Sequence, residues 1–311
     1  MTDNRVLLTE NFHPLLTEKL SGLGYVCDSR PGITYEEVMD CISSYTGIVV
    51  ATRIEVDHRL IDAGTNLKFI ARAGSGLDRI DVSHARTKGI AVLSSPEGNA
   101  NAVAEHAVGL LLTMLHNITR SAFETRQGLW LVEKNRVHEL EGKTIAIIGY
   151  GNTGRAFARK LFPFNMKVLA FDKYLSNYSD DFAMETPMER IYDEAEIVSF
   201  HIPLTAETKS MVNHEYMQPF SHPARLINTS RGKIINHRDL LSCVQSGRVI
   251  EAACDVYENE DFQNQTKTER MIFDQLVETG KVIFTPHVAG KSFEAGAKHA
   301  IVLTEKIGML K

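Results

Sequence analysis

Lys143-Thr-Ile-Ala-Ile-Ile-Gly-Tyr-Gly-Asn-Thr-Gly154 limits what this chain can fold into more than any other stretch. The run Ile145 to Ile148 is β-branched and too short for a helix of its own, so it reads as a strand buried on both faces. It runs into Gly149-x-Gly151-x-x-Gly154 and then into Arg155 to Leu161, which has helical periodicity. A second apolar strand, Lys167 to Phe171, follows and ends on Asp172. Gly149 permits the tight turn, Gly151 lets a pyrophosphate approach the backbone, and Gly154 lets helix and strand pack closely. The helix start offers unpaired N–H groups and a positive dipole end to phosphates. Asp172 lies 23 residues beyond Gly149, close to the ~20 expected of the acid that holds an adenosine ribose. The three glycines alone could be a glycine-rich turn. With the strand before, the helix after and the acid at the next strand end, they read as a dinucleotide site.

Strands and helices alternate on the N-terminal side too. Arg5–Leu8, Gly47–Ala51, Leu67–Ala71 and Gly89–Leu93 read as strands; Pro14–Leu20, Tyr35–Ile42, Leu60–Ala63 and Val82–Thr87 read as helices. That alternation gives a parallel sheet covered on both faces, the doubly wound α/β class, without a glycine fingerprint of its own. After the loop Ser94–Asn99, a long helix over Asn101–Arg120 is expected to act as an inter-domain hinge. Strands at 197–200, 224–228, 248–254 and 281–285 and a helix at 238–245 continue the glycine-rich unit. Asp261–Gly280 is a polar, helix-compatible insertion. A last helix over Ser292–Leu310 is expected to return to the first domain. The expected domains are 1–98 plus 288–311 and 99–287.

At 311 residues the chain has room for about two domains. A net charge of −5 gives no footprint for nucleic acid or an anionic membrane. Cys27, Cys41, Cys243 and Cys254 are scattered without a C-x-x-C pair, which argues for reduced thiols in a cytoplasmic protein and against zinc or any other metal site. Polar residues after Met1 predict no signal peptide, and the apolar helix Ala102–Leu115 carries Glu105 and His106 and is too short to span a bilayer.

Function has to come from the strand ends, beyond which ligands sit in open α/β sheets. Ala71 is followed by Arg72-Ala-Gly-Ser-Gly76, Asn228 by Thr229-Ser-Arg-Gly232, Cys254 by Asp255 to Glu260, and Thr285 by Pro286-His287. A turn rich in N–H groups, an arginine, a carboxylate and a histidine are the parts needed to reduce a 2-oxo acid. Each has a plainer reading. Arg231 could form a surface ion pair and His287 could be a satisfied core histidine. Gly74–Gly76 could be a simple turn, and Glu260 lies in an acidic run that alone reads as a solvated loop. His106, His116, His201 and His299 read as structural or surface residues.

Together these pieces resemble the D-isomer-specific 2-hydroxyacid dehydrogenases, and most of all their phosphoglycerate dehydrogenase branch. The resemblance is carried by Arg72–Asp78, Val103–His106, Gly149–Gly154, His201–Thr205, Asn228–Gly232, Asp255–Glu260 and Thr285–Gly290, in the family's order and over nearly the whole chain. It implies a flavodoxin-like substrate domain and a Rossmann domain for NAD, with a cleft between them, in a homodimer built around the long helix. It makes Arg231 the clamp on the substrate carboxylate and carbonyl, His287 the acid–base and Glu260 its partner. The N–H groups of Ser75 and Gly76 would hold the carboxylate, with Arg53, Arg72 and Asn99 also on the substrate side. Asp172 would hold the ribose, and Pro203, Thr208, Thr229 and Asp255 would line the nicotinamide side. Asn152, Thr153, His201 and Gly290 join the glycines as further cofactor-binding positions.

The implied reaction moves a hydride between NAD(H) and C2 of a small D-2-hydroxy acid. 3-Phosphoglycerate (serine biosynthesis) stands first, ahead of hydroxypyruvate or glyoxylate. Some positions depart from the branch. Asn152-Thr153 stand where arginine and isoleucine are common, Asp261 where proline is usual, and Ala51 where an arginine meets the substrate phosphate, although Arg53 matches a second one. With nothing after Lys311, the serine-sensing domain of longer members is expected to be absent. The rival from another class is an NAD-responsive corepressor, which the lack of a basic or disordered tail disfavours.

Overall fold

The computed structural model describes residues 4–310. Met1–Asp3 and Lys311, which bear on the expected lack of a leader and of a regulatory domain, lie outside them. The chain divides into two compact units, residues 1–100 with 291–311 and residues 101–290.

The first unit runs β1 (Arg5–Leu8), α1 (Pro14–Gly22), β2 (Val26–Ser29), α2 (Tyr35–Cys41), β3 (Gly47–Val50), α3 (His58–Ala63), β4 (Phe69–Arg72), α4 (Val82–Thr87) and β5 (Ala91–Ser94). Its five strands are parallel in the order β2-β1-β3-β4-β5, the flavodoxin-like arrangement. Thr34 and Glu37 start α2 with a reciprocal capping box, each side chain bonding the other's N–H. α5 (Pro96–Leu115) begins here and continues into the second unit.

The second unit follows with α6 (Ile118–Arg126), β6 (Thr144–Ile148), α7 (Asn152–Leu161), β7 (Lys167–Phe171), β8 (Met184–Glu185), α8 (Met188–Glu194), β9 (Ile197–Phe200), α9 (His214–Met217), β10 (Ala224–Asn228), α10 (His237–Gln245), β11 (Val249–Cys254), α11 (Lys267–Glu278) and β12 (Val282–Phe284). Its seven strands are also parallel, in the order β12-β11-β10-β9-β6-β7-β8. The order reverses between β6 and β9, so the glycine turn after β6 opens at the switch point where such sheets bind ligands. Ala146, Leu169 and Val198 are buried against helices on one face of this sheet, and Ile145, Ile147 and Ala170 on the other. That is why these strands read as unbroken apolar runs.

α12 (Ala295–Gly308) belongs to the first unit. Its Ala300, Leu303 and Ile307 pack with Val6, Leu8, Leu16 and Leu20.

Several boundaries differ from the expectation. The long helix starts at Pro96 rather than after Asn99, because a proline costs nothing in a first turn whose N–H groups have no partner. It stops at Leu115. Asn117 takes the left-handed conformation (φ +52) and α6 starts afresh, so no single helix spans Asn101–Arg120. β2 went unexpected because it is an edge strand of four residues whose Val26 is exposed. No described helix is long and apolar enough to cross a membrane.

Candidate active site

The glycines after β6 are needed for three different reasons. At Gly149 (φ +94) a Cβ would lie 2.5 Å from the His201 carbonyl oxygen. At Gly154 it would lie 2.1 Å from the Gly149 carbonyl oxygen. At Gly151 it would meet nothing within 4 Å, so the main chain there is open to a ligand. Gly151 caps α7 without a side chain, which leaves the first-turn N–H groups, including those of Asn152 and Thr153, to an anion.

Asp172 follows β7 and is turned toward this loop. Its Oδ2 accepts the Tyr150 N–H at 2.9 Å, and its Oδ1 accepts those of Tyr174 and Leu175 at 3.0 and 3.2 Å. The cation beside it, Lys173, is ion-paired with Glu207, which also accepts the Tyr174 hydroxyl at 2.7 Å.

His201 packs its ring 5.2 Å from Phe157 and bonds Ser199 Oγ through Nε2 at 2.9 Å. Burial holds its pKa down to about 3, so the ring is neutral. Its Nδ1 and the buried Thr229 hydroxyl have no hydrogen-bond partner. The Thr208 hydroxyl donates to the Pro203 carbonyl at 2.6 Å and closes that turn. An open glycine backbone, a bare helix start, an oriented carboxylate and two orphaned polar atoms fit a dinucleotide.

Arg231 sits on the turn after β10. Asn228, fully buried, fixes that turn by donating to the Arg231 carbonyl at 3.0 Å and accepting the Ser230 N–H at 3.0 Å. Arg231 Nη1 donates to the Ser230 carbonyl at 2.8 Å. A Cβ at Gly232 would lie 1.9 Å from the Tyr257 carbonyl oxygen, so only glycine lets this turn abut the loop that carries Glu260. Glu260 Oε2 lies 2.8 Å from His287 Nδ1, and both side chains are about half exposed, at 43% and 44%. Burial alone would raise the Glu260 pKa. The hydrogen bond and charge of His287, the Tyr257 N–H and the charge of Arg231 outweigh it and hold the carboxyl below its ordinary range.

His287 has φ +53, a strained conformation for a residue with a side chain. Asp255, 1% exposed, maintains it. The Asp255 carbonyl accepts the His287 N–H at 2.7 Å, and its carboxylate accepts the Thr285 hydroxyl at 2.6 Å and the N–H groups of Val288 and Ala289 at 3.0 and 2.8 Å. Burial opposes the Asp255 charge, but a hydrogen bond from His106 and those from Thr285, Ala289 and Val288 prevail and lower its pKa. Gly290 follows the segment that Asp255 holds. His106, read from the sequence as structural or surface, belongs to this network: its Nε2 is 3.0 Å from Thr285 Oγ1 and 3.4 Å from Asp255 Oδ1.

In the first unit, the loop after β4 turns at Gly74 (φ +154), whose N–H is shared between the Arg72 carbonyl and Ser95 Oγ. The Ser75 hydroxyl donates to Asn99 at 2.7 Å. Arg72 folds over Gly74 and donates to the Ala73 carbonyl at 3.0 Å. Arg53 turns elsewhere, its Nη2 donating to the Ile33 carbonyl at 2.5 Å. Glu10 Oε1 accepts the N–H groups of Ala51, Thr52 and Arg53 at 3.0, 2.8 and 3.1 Å.

The family model described as D-isomer specific 2-hydroxyacid dehydrogenase, NAD binding domain, matches residues 108–289. A hydroxypyruvate reductase of Thermotoga maritima is 35% identical over 273 residues, 88% of this chain and 87% of that one. A D-3-phosphoglycerate dehydrogenase of Synechocystis is 30% identical over 305 residues, 97% of this chain but 53% of that one, so the chain spans about half that relative's length. The crystal structure of a glyoxylate reductase from Paecilomyes thermophila superposes with a TM-score of 0.86 at 24% identity, over 99% of this chain and 95% of that one, a likeness of fold.

Proposed function

From the chain's membership of the NAD-binding D-isomer specific 2-hydroxyacid dehydrogenases, we propose that it interconverts a small 2-oxo acid and its D-2-hydroxy acid, and that the acid has an uncharged tail, as hydroxypyruvate and glyoxylate do. The observation that carries the reaction is the 2.8 Å pair of His287 and Glu260 close to Arg231.

Gly151 and the first turn of α7 would hold the pyrophosphate, Asp172 the ribose, and Thr229 and His201 the nicotinamide side. NADH, when bound, supplies a hydride to C2. Arg231 binds the carboxylate and the carbonyl oxygen. Glu260 occupies His287 Nδ1, which leaves Nε2 to give its proton to the oxygen on C2 as that oxygen becomes an alkoxide. In the oxidation direction the same nitrogen takes the proton back.

The first unit supports the uncharged tail. A phosphate would need the N–H groups and the cation of the loop after β3. Glu10 already occupies those three N–H groups with a carboxylate, and Arg53 donates to main-chain carbonyls. Ala51 removes a further cation, a charge-assisted contact of about 1.5–3 kcal/mol. Hydroxypyruvate should therefore have a kcat/KM at least about tenfold above phosphohydroxypyruvate, and Arg53→Ala should leave that ratio unchanged. A preference for the phosphorylated acid, with Arg53→Ala raising its KM alone, would reverse the proposal.

NADH should be preferred to NADPH by about tenfold or more, since Asp172 repels a 2′-phosphate and Glu207 neutralises the one adjacent lysine. Comparable kcat/KM values for the two cofactors would remove Asp172 from the ribose site.

A further inference from the structure

His237 opens α10, six residues beyond Arg231, and is fully buried. Its main-chain N–H and its Nδ1 both meet one oxygen of Glu258, at 2.9 and 3.0 Å. Nδ1 therefore carries a proton toward Glu258, and Nε2 is left buried without a partner. The ring centre lies 4.3 Å from that of Tyr257 and 6.1 Å from that of Phe284. Tyr257 starts the loop that carries Glu260, and its own N–H donates to Glu260 Oε1 at 3.3 Å. Phe284 ends β12, three residues before His287. One buried imidazole thus packs against the segments that carry Glu260 and His287.

Glu258 and Glu260 are two residues apart on one loop and point opposite ways, the first to His237 and the second to His287. The approach of Gly232 to the Tyr257–Glu258 peptide adds a second tie between the Arg231 turn and this loop. An orphaned Nε2 is unfavourable in a buried site, and an apolar ring would avoid it, so packing alone does not account for a histidine here.

Resting on the roles assigned above to His287 and Glu260, we infer that His237, through Glu258, is a positioning residue that holds Glu260 against His287. Without the His237–Glu258 bond the 257–260 loop loses its inner anchor and Glu260 moves off the imidazole. The carboxylate that favours the protonated ring is then farther away.

The test is the titration of His287 followed by NMR of the imidazole signals in the whole protein without cofactor or substrate, the signal being assigned with His287→Asn. His237→Leu by itself changes none of Glu260, Arg231 and Asp255, the ionisable groups that meet His287 or its partner carboxylate. His237→Leu should move the titration to lower pH, His237→Asn, which keeps a donor at the Nδ1 position, should restore most of it, and kcat for reduction should fall about tenfold in the leucine variant. In a Glu260→Gln background His237→Leu should move the titration no further. Glu258→Ala removes this bond together with the one to the His237 main-chain N–H, from the partly exposed side, and should give at least the same displacement, so it decides the matter if the leucine variant does not fold. Glu258→Gln keeps the accepting oxygen and should behave as the wild type. An unmoved titration in His237→Leu or Glu258→Ala, or equal displacement with and without Glu260, overturns the inference. Because the signal needs no turnover, a wild type inactive on every 2-oxo acid would sink the proposed function and leave this reading standing or falling by itself.

Discussion

Replacing His287 by alanine is expected to lower kcat for 2-oxo acid reduction by about 10²- to 10⁴-fold, with NADH affinity by fluorescence titration little changed. The proposed reaction creates an alkoxide, and the proton source proposed for it is Nε2 of His287, which the Glu260 bond leaves available. Glu260 is held below its ordinary range, so it is ionised at neutral pH, and its negative charge at 2.8 Å favours the imidazolium. The donor is lost on the alkaline side. Glu260→Gln should therefore shift the alkaline limb of the reduction profile to lower pH and, by the same reasoning, shift the acid limb of oxidation to lower pH. A glutamine variant with both limbs in place, or an alanine variant with near-normal kcat, would end the acid–base assignment.

Arg231→Lys is expected to lose at least about a hundredfold in kcat/KM, because a lysine keeps the charge but not the planar fork. The wild-type guanidinium is braced through Nη1 on the Ser230 carbonyl, and the buried Asn228 fixes the turn beneath it. A flexible ammonium gains neither the second parallel bond nor that bracing. A loss of two decades corresponds to about 2.7 kcal/mol, within what one bidentate charge-assisted pair supplies. Kinetics near the wild type would show that the fork does not grip the substrate.

Much of this was written locally in the sequence. Gly149, Gly151 and Gly154 follow an apolar run and precede a helix, and chain neighbours alone fix that arrangement. Arg231 and His287 were visible because apolar strands stop just before them. Glu260 was not visible from its neighbours, since Glu258-Asn-Glu-Asp261 looks like a solvated loop, and only the family resemblance pointed to it; in the structure its two glutamates turn to different histidines. Its partner lies 27 residues away, and no local pattern encodes that pairing. The same holds for His106, whose tie to Thr285 crosses 179 residues. The end of the long helix failed for a different reason: one asparagine that tolerates the left-handed conformation restarts the helix without any proline or glycine to announce it.

The return of α12 to the first unit bears on the order in which the protein is made. Val6, Leu8, Leu16 and Leu20 leave the ribosome before residues 101–290, yet they share a core with Ala300, Leu303 and Ile307, which leave it after them. Residues 101–290 are contiguous and can close their own core in between, the usual behaviour of a domain during synthesis. Until Ala300, Leu303 and Ile307 emerge that core is incomplete, and exposed apolar surface of this kind makes a part-made chain prone to aggregate. The unit begun first is finished last.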